Sequence, residues 1–214
     1  GDPMESLADR FREMLTLLQE MSLLVRGHIF DQDLTLEDRS KIYKLDIKVN
    51  KHMRSIRKRV VSHVTMSRDH VPYCLLLMTL VKDAERIGDY WKNISEVSTL
   101  GAGKIPDGPL KTELKEVIDT AMTLMDELVQ ILDASDRERA EELLQTSRHM
   151  GKRCDQLLVE LAKTDFNAAE TTAMVLLTRA ERNVAARHWV KQMQAAPIRE
   201  LIRADGYRLP GAQN

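Results

Sequence analysis

The sequence predicts an all-α protein of two tandem three-helix bundles, six long antiparallel helices in all, and three observations carry that expectation. The straight-chain helix formers Leu, Met, Ala, Glu, Lys and Arg prevail, whereas aromatic residues make up only 4% of the 214 positions; strand-rich folds draw more on aromatic and β-branched side chains. Apolar residues recur at spacings of three and four over long stretches. The clearest break, Gly101-Ala102-Gly103 followed by Pro106, Gly108 and Pro109, falls near the middle, and the same pattern then starts again.

Helix one is expected over Pro3 to Phe30, with Asp2 as its N-cap and Pro3 in the first helical position. Asp31-Gln32-Asp33 ends it, and Thr35 caps helix two with Asp38 in the first turn. Ile42, Leu45, Val49, Met53, Ile56, Val60 and Val64 form a sustained seam along helix two. The turn Ser67-Arg68-Asp69-His70 follows, Pro72 opens helix three, and Leu77, Leu80, Ala84, Ile87, Trp91 and Ile94 make its seam. Helix four spans Leu110 to Asp133. Ser135 followed by Glu138 reads as a capping box opening helix five, which continues to Lys163. Asn167 caps helix six, which runs to Ala195 before Pro197. Residues 1–100 therefore form one repeat, 101–109 a linker, 110–195 a second repeat and 196–214 a tail. On superposing the repeats, Asp46 should overlie Gly151 and Glu85 should overlie Glu181. Helices of about 25 to 30 residues are roughly 40 Å long, so each trio should be an elongated bundle.

Charge and cysteine usage narrow the function classes. The formal net charge is −1 and the pI about 6.7, so no global field draws the chain onto nucleic acid or an anionic membrane. Cys74 and Cys154 both fall inside helical patterns without disulfide or zinc spacing, which suits a reducing cytoplasm. The apolar stretch Met14 to Val25 is interrupted by Gln19 and Glu20 and is too short to span a bilayer. Gly1-Asp2-Pro3 ahead of Met4 reads as a cloning remnant. A cytoplasmic domain cut from a membrane transporter would have the same soluble character.

Two short motifs carry chemistry. Helix two holds Asp46 and Asn50, and helix three holds Glu85 and Asp89. A spacing of four sets each pair on one helical face, and the four follow the seam positions Leu45, Val49, Ala84 and Gly88 by one residue. If helices two and three pack by their seams, the four oxygen-bearing side chains line one edge of the contact. Gly88, costing about 1 kcal/mol relative to Ala inside a helix, suggests that a neighbour or a ligand needs the room. Two readings of the edge stand side by side: a solvated acidic strip paired with Arg86, Lys48 or Lys82, and a site for a hard or borderline divalent ion such as Mg²⁺, Mn²⁺ or iron.

The run Lys82-Asp83-Ala84-Glu85-Arg86-Ile87-Gly88-Asp89 resembles the helix-three signature of the PhoU family of phosphate-uptake regulators. Asp46 to Asn50 is similar to that family's helix-two motif, and Asn93 to a further position that it often fills with Asn. The resemblance implies a non-enzymatic, cytoplasmic regulator that contacts a phosphate transporter component or a sensor kinase, able to form homo-oligomers. It would reach the membrane only through its partners and bind no nucleic acid. It also implies a divalent metal held by Asp46, Asn50, Glu85 and Asp89, in the first repeat only. In the second repeat Gly151 stands where an acid is expected four residues before Asp155, and Val184 and Ala185 replace the glycine and acid that should follow Glu181-Arg182. Asp155 and Glu181 then read as ordinary helix carboxylates facing solvent, with a weak second site as the alternative.

Two other classes use the same residues. A carboxylate-rich metal-storage bundle or metal-dependent enzyme would need redox-capable ligands, but the six histidines show no ligand spacing and no Glu-x-x-His motif. The cytoplasmic domain of a sodium–phosphate cotransporter would need a transmembrane segment elsewhere in its gene. Gly101-Ala102-Gly103-Lys104 lacks the length and the preceding strand of a phosphate loop. The eleven methionines read mainly as core filler. The basic run from Lys48 to Arg59 reads as a solvated face, with docking to an acidic partner, phosphate or anionic lipid as the functional alternative.

Overall fold

The computed structural model describes residues 3–31, 35–100, 105–187, 189 and 191–196. Among them are six α-helices and no strand: α1 (Pro3–Phe30), α2 (Leu36–Met66), α3 (Val71–Leu100), α4 (Pro109–Ala134), α5 (Arg137–Leu161) and α6 (Ala168–Arg182). The expected N-cap Asp2, the glycines Gly101 to Gly103 and most of the tail lie outside the described residues. α1, α2 and α3 pack pairwise into one trio, and α4, α5 and α6 into a second.

Several helix ends follow from local chemistry. Thr35 accepts a hydrogen bond from the Asp38 backbone N–H, and Asn167 with Glu170 completes a reciprocal capping box at the start of α6. One expected cap is displaced. Asp136, not Ser135, caps α5, by accepting from the Arg139 N–H. Ser135 instead closes α4 in a left-handed conformation, its N–H reaching the carbonyls of Ile131 and Leu132. With so short a connection, the orphan carbonyls of α4 claim the residue that the capping-box pattern assigns to α5.

The apolar stripes are buried as their periodicity predicts, including Trp91 and Trp189 at 0% exposure. Val64, assigned to the α2 seam, is 36% exposed and departs from that pattern. The two trios share a continuous apolar core: α1 packs on α4, and α3 on α6. Along the α1–α4 contact, Arg12 pairs with Asp133, Gln19 with Asp126 and Arg26 with Asp119. The steps of seven residues run in opposite directions on the two helices, so these polar pairs fix an antiparallel register. As half-exposed pairs they add little stability.

The sixth helix does not continue regularly to Ala195. Asn183–Arg187 is a π-helical segment. Its wider turn leaves carbonyls free for side-chain donors: Ser147 Oγ donates to the Ala185 carbonyl at 2.7 Å, and the Trp189 indole N–H donates to the Val184 carbonyl. α5 comes so near that a Cβ on Gly151 would lie 2.8 Å from the Ala186 Cβ. Gly151→Ala is accordingly expected to destabilise the protein by about 1–3 kcal/mol, because neither backbone can yield cheaply. The comparison is Gly88→Ala, where the added methyl would meet the movable Leu18 Cδ2 at 3.1 Å and helix propensity favours Ala by about 1 kcal/mol. Denaturant unfolding of the two variants checks the contrast, and equal losses would contradict it.

Candidate functional site

The packing of α2 against α3 brings the expected acidic edge together in part. Asp46 is buried at 8% exposure, although it lies on α2 one position after a seam residue. Gly88 explains the fit: with no side chain there, α1 Leu18 and α2 Val49 close in, and the Asp46 Oδ1 would stand 3.9 Å from a Cβ at that position. The glycine therefore serves helix packing and opens room beside Asp46. Glu85 and Asp89 are half-buried on α3. Asn50 is half-buried too, but its amide group donates back to the Asp46 backbone carbonyl at 3.0 Å. Asn93 is exposed.

The electrostatics follow from this crowding. Burial pushes the Glu85 carboxyl up, and the nearby Asp89 and Asp46 charges push it further; Arg86 opposes them weakly. Burial also raises Asp46, with Lys92 pulling back and Asp89 adding to the rise. The counter-ion at the edge is Lys92, not Arg86, Lys48 or Lys82. Its Nζ lies 3.4 Å from Asp46 Oδ2 and 3.9 Å from Asp89 Oδ1. Burial lowers the Lys92 ammonium, but Asp46 and Asp89 outweigh that and hold it above its usual range. A signal for Lys92 was present in the sequence, since it follows Asp89 by three residues on the same helix. What the sequence could not show was its reach across to α2.

A divalent cation would find suitable donor chemistry here: three carboxyls, an amide, and an Asp46 Oδ1 that is buried without a hydrogen-bond partner. It would also meet competition. Lys92 already bridges Asp46 and Asp89, and among the described residues no three His, Cys, Asp or Glu side chains converge closely enough to hold a metal. The residues thus fit a metal in kind, and binding requires displacing an ammonium.

The second repeat differs from expectation. Asp155 is exposed and takes a two-point contact from Arg182, at 2.7 and 3.2 Å. Glu181 does not face solvent. It is 1% exposed, and neither carboxyl oxygen has a hydrogen-bond partner. Burial pushes its carboxyl well up, with the Asp119 charge adding to the effect. Beside it the buried Cys154 thiol is pushed up to about 12, by burial and then by Glu181. An acid in place of Gly151 would strike Ala186, so this half cannot repeat the first edge.

Residues 11–98, covering most of α1 to α3 and all four residues of the edge, match the family model of the PhoU domain. That likeness to the PhoU domain lies on less than half of the chain, in the first trio. Its α1–α3 region is 28% identical over 83 residues to the phosphate-specific transport system accessory protein PhoU homolog of Deinococcus radiodurans, a stretch covering 39% of this chain and 38% of that relative. The fold is similar to the crystal structure of the phosphate transport system regulatory protein PhoU from Streptococcus pneumoniae. The TM-score is 0.80 over 92% of this chain and 94% of that one, at 14% identity. The likeness in fold therefore spans both trios, whereas the likeness in sequence lies in the first.

Proposed function

We propose that this chain is a member of the PhoU family and a cytoplasmic, non-enzymatic regulator of phosphate uptake, acting by contact with a phosphate transporter component or a sensor kinase. The observation that carries the reading is the PhoU domain match over residues 11–98, the part of the chain that holds the acidic edge. The names of the Deinococcus and Streptococcus proteins, an accessory protein and a regulatory protein of phosphate transport, support it. No helix among the described residues is long and apolar enough to cross a membrane, which suits a protein that works on a transporter from one side. In this reading Asp46, Asn50, Glu85 and Asp89 hold a divalent ion that completes or braces the docking surface, leaving coordination positions open to a partner's oxygen.

The test is phosphate uptake in cells that lack the gene, together with affinity purification of the full chain from wild-type cells. Uptake should lose its dependence on external phosphate, and a transporter or kinase component should co-purify. Unchanged uptake with no such partner would overturn the reading, as would metal-dependent turnover of a phosphate ester that Glu85→Ala abolishes.

A further inference from the structure

We propose that the outward face of α2 is a landing surface for an anionic lipid bilayer. Among the described elements α2 packs only on α1 and α3, so one long side of it points away from the other described helices. Lys44, Ile47, Lys51, Arg54, Lys58 and Val61 lie on that side, all of them exposed. Their alternating steps of three and four keep them in a single stripe. The helix carries nine Lys and Arg residues against three Asp and Glu, and no acid follows Asp46. Lys44, Lys51, Arg54 and Lys58 enter no ion pair among the described residues.

An unbalanced outer helix is not something this fold demands, because the second trio supplies a control. α5 is outermost there, packing on α4, α6 and the π-helical segment. It carries five basic and five acidic residues, and its Arg139 and Arg153 are bridged to Glu127 and Glu113 of α4. The whole chain is near neutral, so the charge of α2 is local and directional.

The shape of the charge favours a bilayer over a protein or a nucleic acid. From Lys44 to Lys58 the stripe runs about 21 Å along the helix, at 1.5 Å per residue. A continuous plane of anionic headgroups can meet every cation along that line at once, and a run of four to eight Lys and Arg is the pattern such surfaces attract. Three of the four cations in the stripe are lysines, point charges, whereas recognition of discrete carboxylates or phosphates favours the forked guanidinium. Ile47 and Val61, 53% and 54% exposed, stand among the cations where they can enter the headgroup region. The stripe has no aromatic side chain on which a base could stack.

This surface would give the protein a direct contact with the membrane, beyond any contact made through a transporter. The test uses the purified full chain and no transporter, so its outcome is separate from the regulatory reading. Vesicles of phosphatidylcholine with about 30% phosphatidylglycerol should pellet the wild-type protein at low salt. Binding to pure phosphatidylcholine, or in about 0.5 M salt, should be weaker by at least about tenfold. The variant Lys44→Glu/Lys51→Glu/Lys58→Glu should lose at least about tenfold in partition while keeping its helical circular dichroism. Arg148→Glu/Lys152→Glu, on exposed positions of α5, should bind as wild type does. Failure of the wild-type protein to bind the anionic vesicles would overturn the proposal, and so would equal losses in both variants. Binding of poly-glutamate without binding of vesicles would also overturn it, and would assign the face to an acidic protein instead.

Discussion

Replacing Glu181 by leucine is expected to stabilise the protein at neutral pH and to flatten its stability profile. The carboxyl is wholly buried with both oxygens unpartnered, and burial lifts it far above its ordinary value of 4.5. Below pH 4.5 the group is protonated in both folded and unfolded chains and contributes no pH dependence. Above that, the unfolded chain releases the proton and the native state retains it. Stability should then fall as pH rises, by about 1.4 kcal/mol per pH unit for one such group, and level off above the raised folded value. Leucine removes both the slope and the cost of an unpaired polar group. A gain of about 1–4 kcal/mol near pH 8 is the scale seen when buried charges give way to apolar packing. In a chain of this size each kcal/mol raises Tm by about 2–4 °C. Thermal melts from pH 4 to 9 on both proteins check this. Asp46 and Glu85 are raised in the same sense, so some slope should persist in the variant. A variant that is less stable at pH 8 and keeps the full wild-type slope would contradict the assignment.

Lys92→Met should turn the acidic edge into a better cation site. In the wild type the ammonium holds Asp46 and Asp89, so Mg²⁺, Mn²⁺ or Fe²⁺ must compete with a tethered positive charge. Methionine retains the apolar stem and leaves three carboxyls to repel one another. Calorimetric titration is expected to show weak Mn²⁺ binding to the wild type and binding at least about tenfold tighter to the variant, since one unit charge at this range is worth more than about 1.4 kcal/mol. Adding Asp46→Asn should abolish it, and Glu181→Ala should leave it unchanged. Binding should weaken as pH falls through the raised range of Asp46 and Glu85, because protons then occupy the donors. Without metal, the Lys92 variant should be less stable than wild type, having lost a half-buried counter-charge. If neither protein takes up metal, the edge is a lysine-neutralised acidic strip and nothing more.

The amino-acid sequence by itself determined the helical class, the six-element order, the break near residue 105, the caps at Thr35 and Asn167 and the acidic pair of motifs. Each of these is set within one helix or one turn, through periodicity, capping chemistry and i,i+4 spacing, where neighbours in sequence are neighbours in space. Only the tertiary structure decided which cation answers the acids. Lys92 shares a helix with Asp89, but its contact with Asp46 depends on how α2 and α3 are set side by side. The position of Glu181 was legible in the period: it lies in regular α6, four residues after Leu177 and three after Thr178, both buried, so the helical repeat sets it on the core face. Its being a carboxylate argued for solvent instead, and only the tertiary structure decided between the two signals. Sequence also could not tell that α2 and α5 are the outer helices, and so which of several charged helix faces is left uncovered. That depends on which stripes the other helices bury, a property of the assembled core and of no single element.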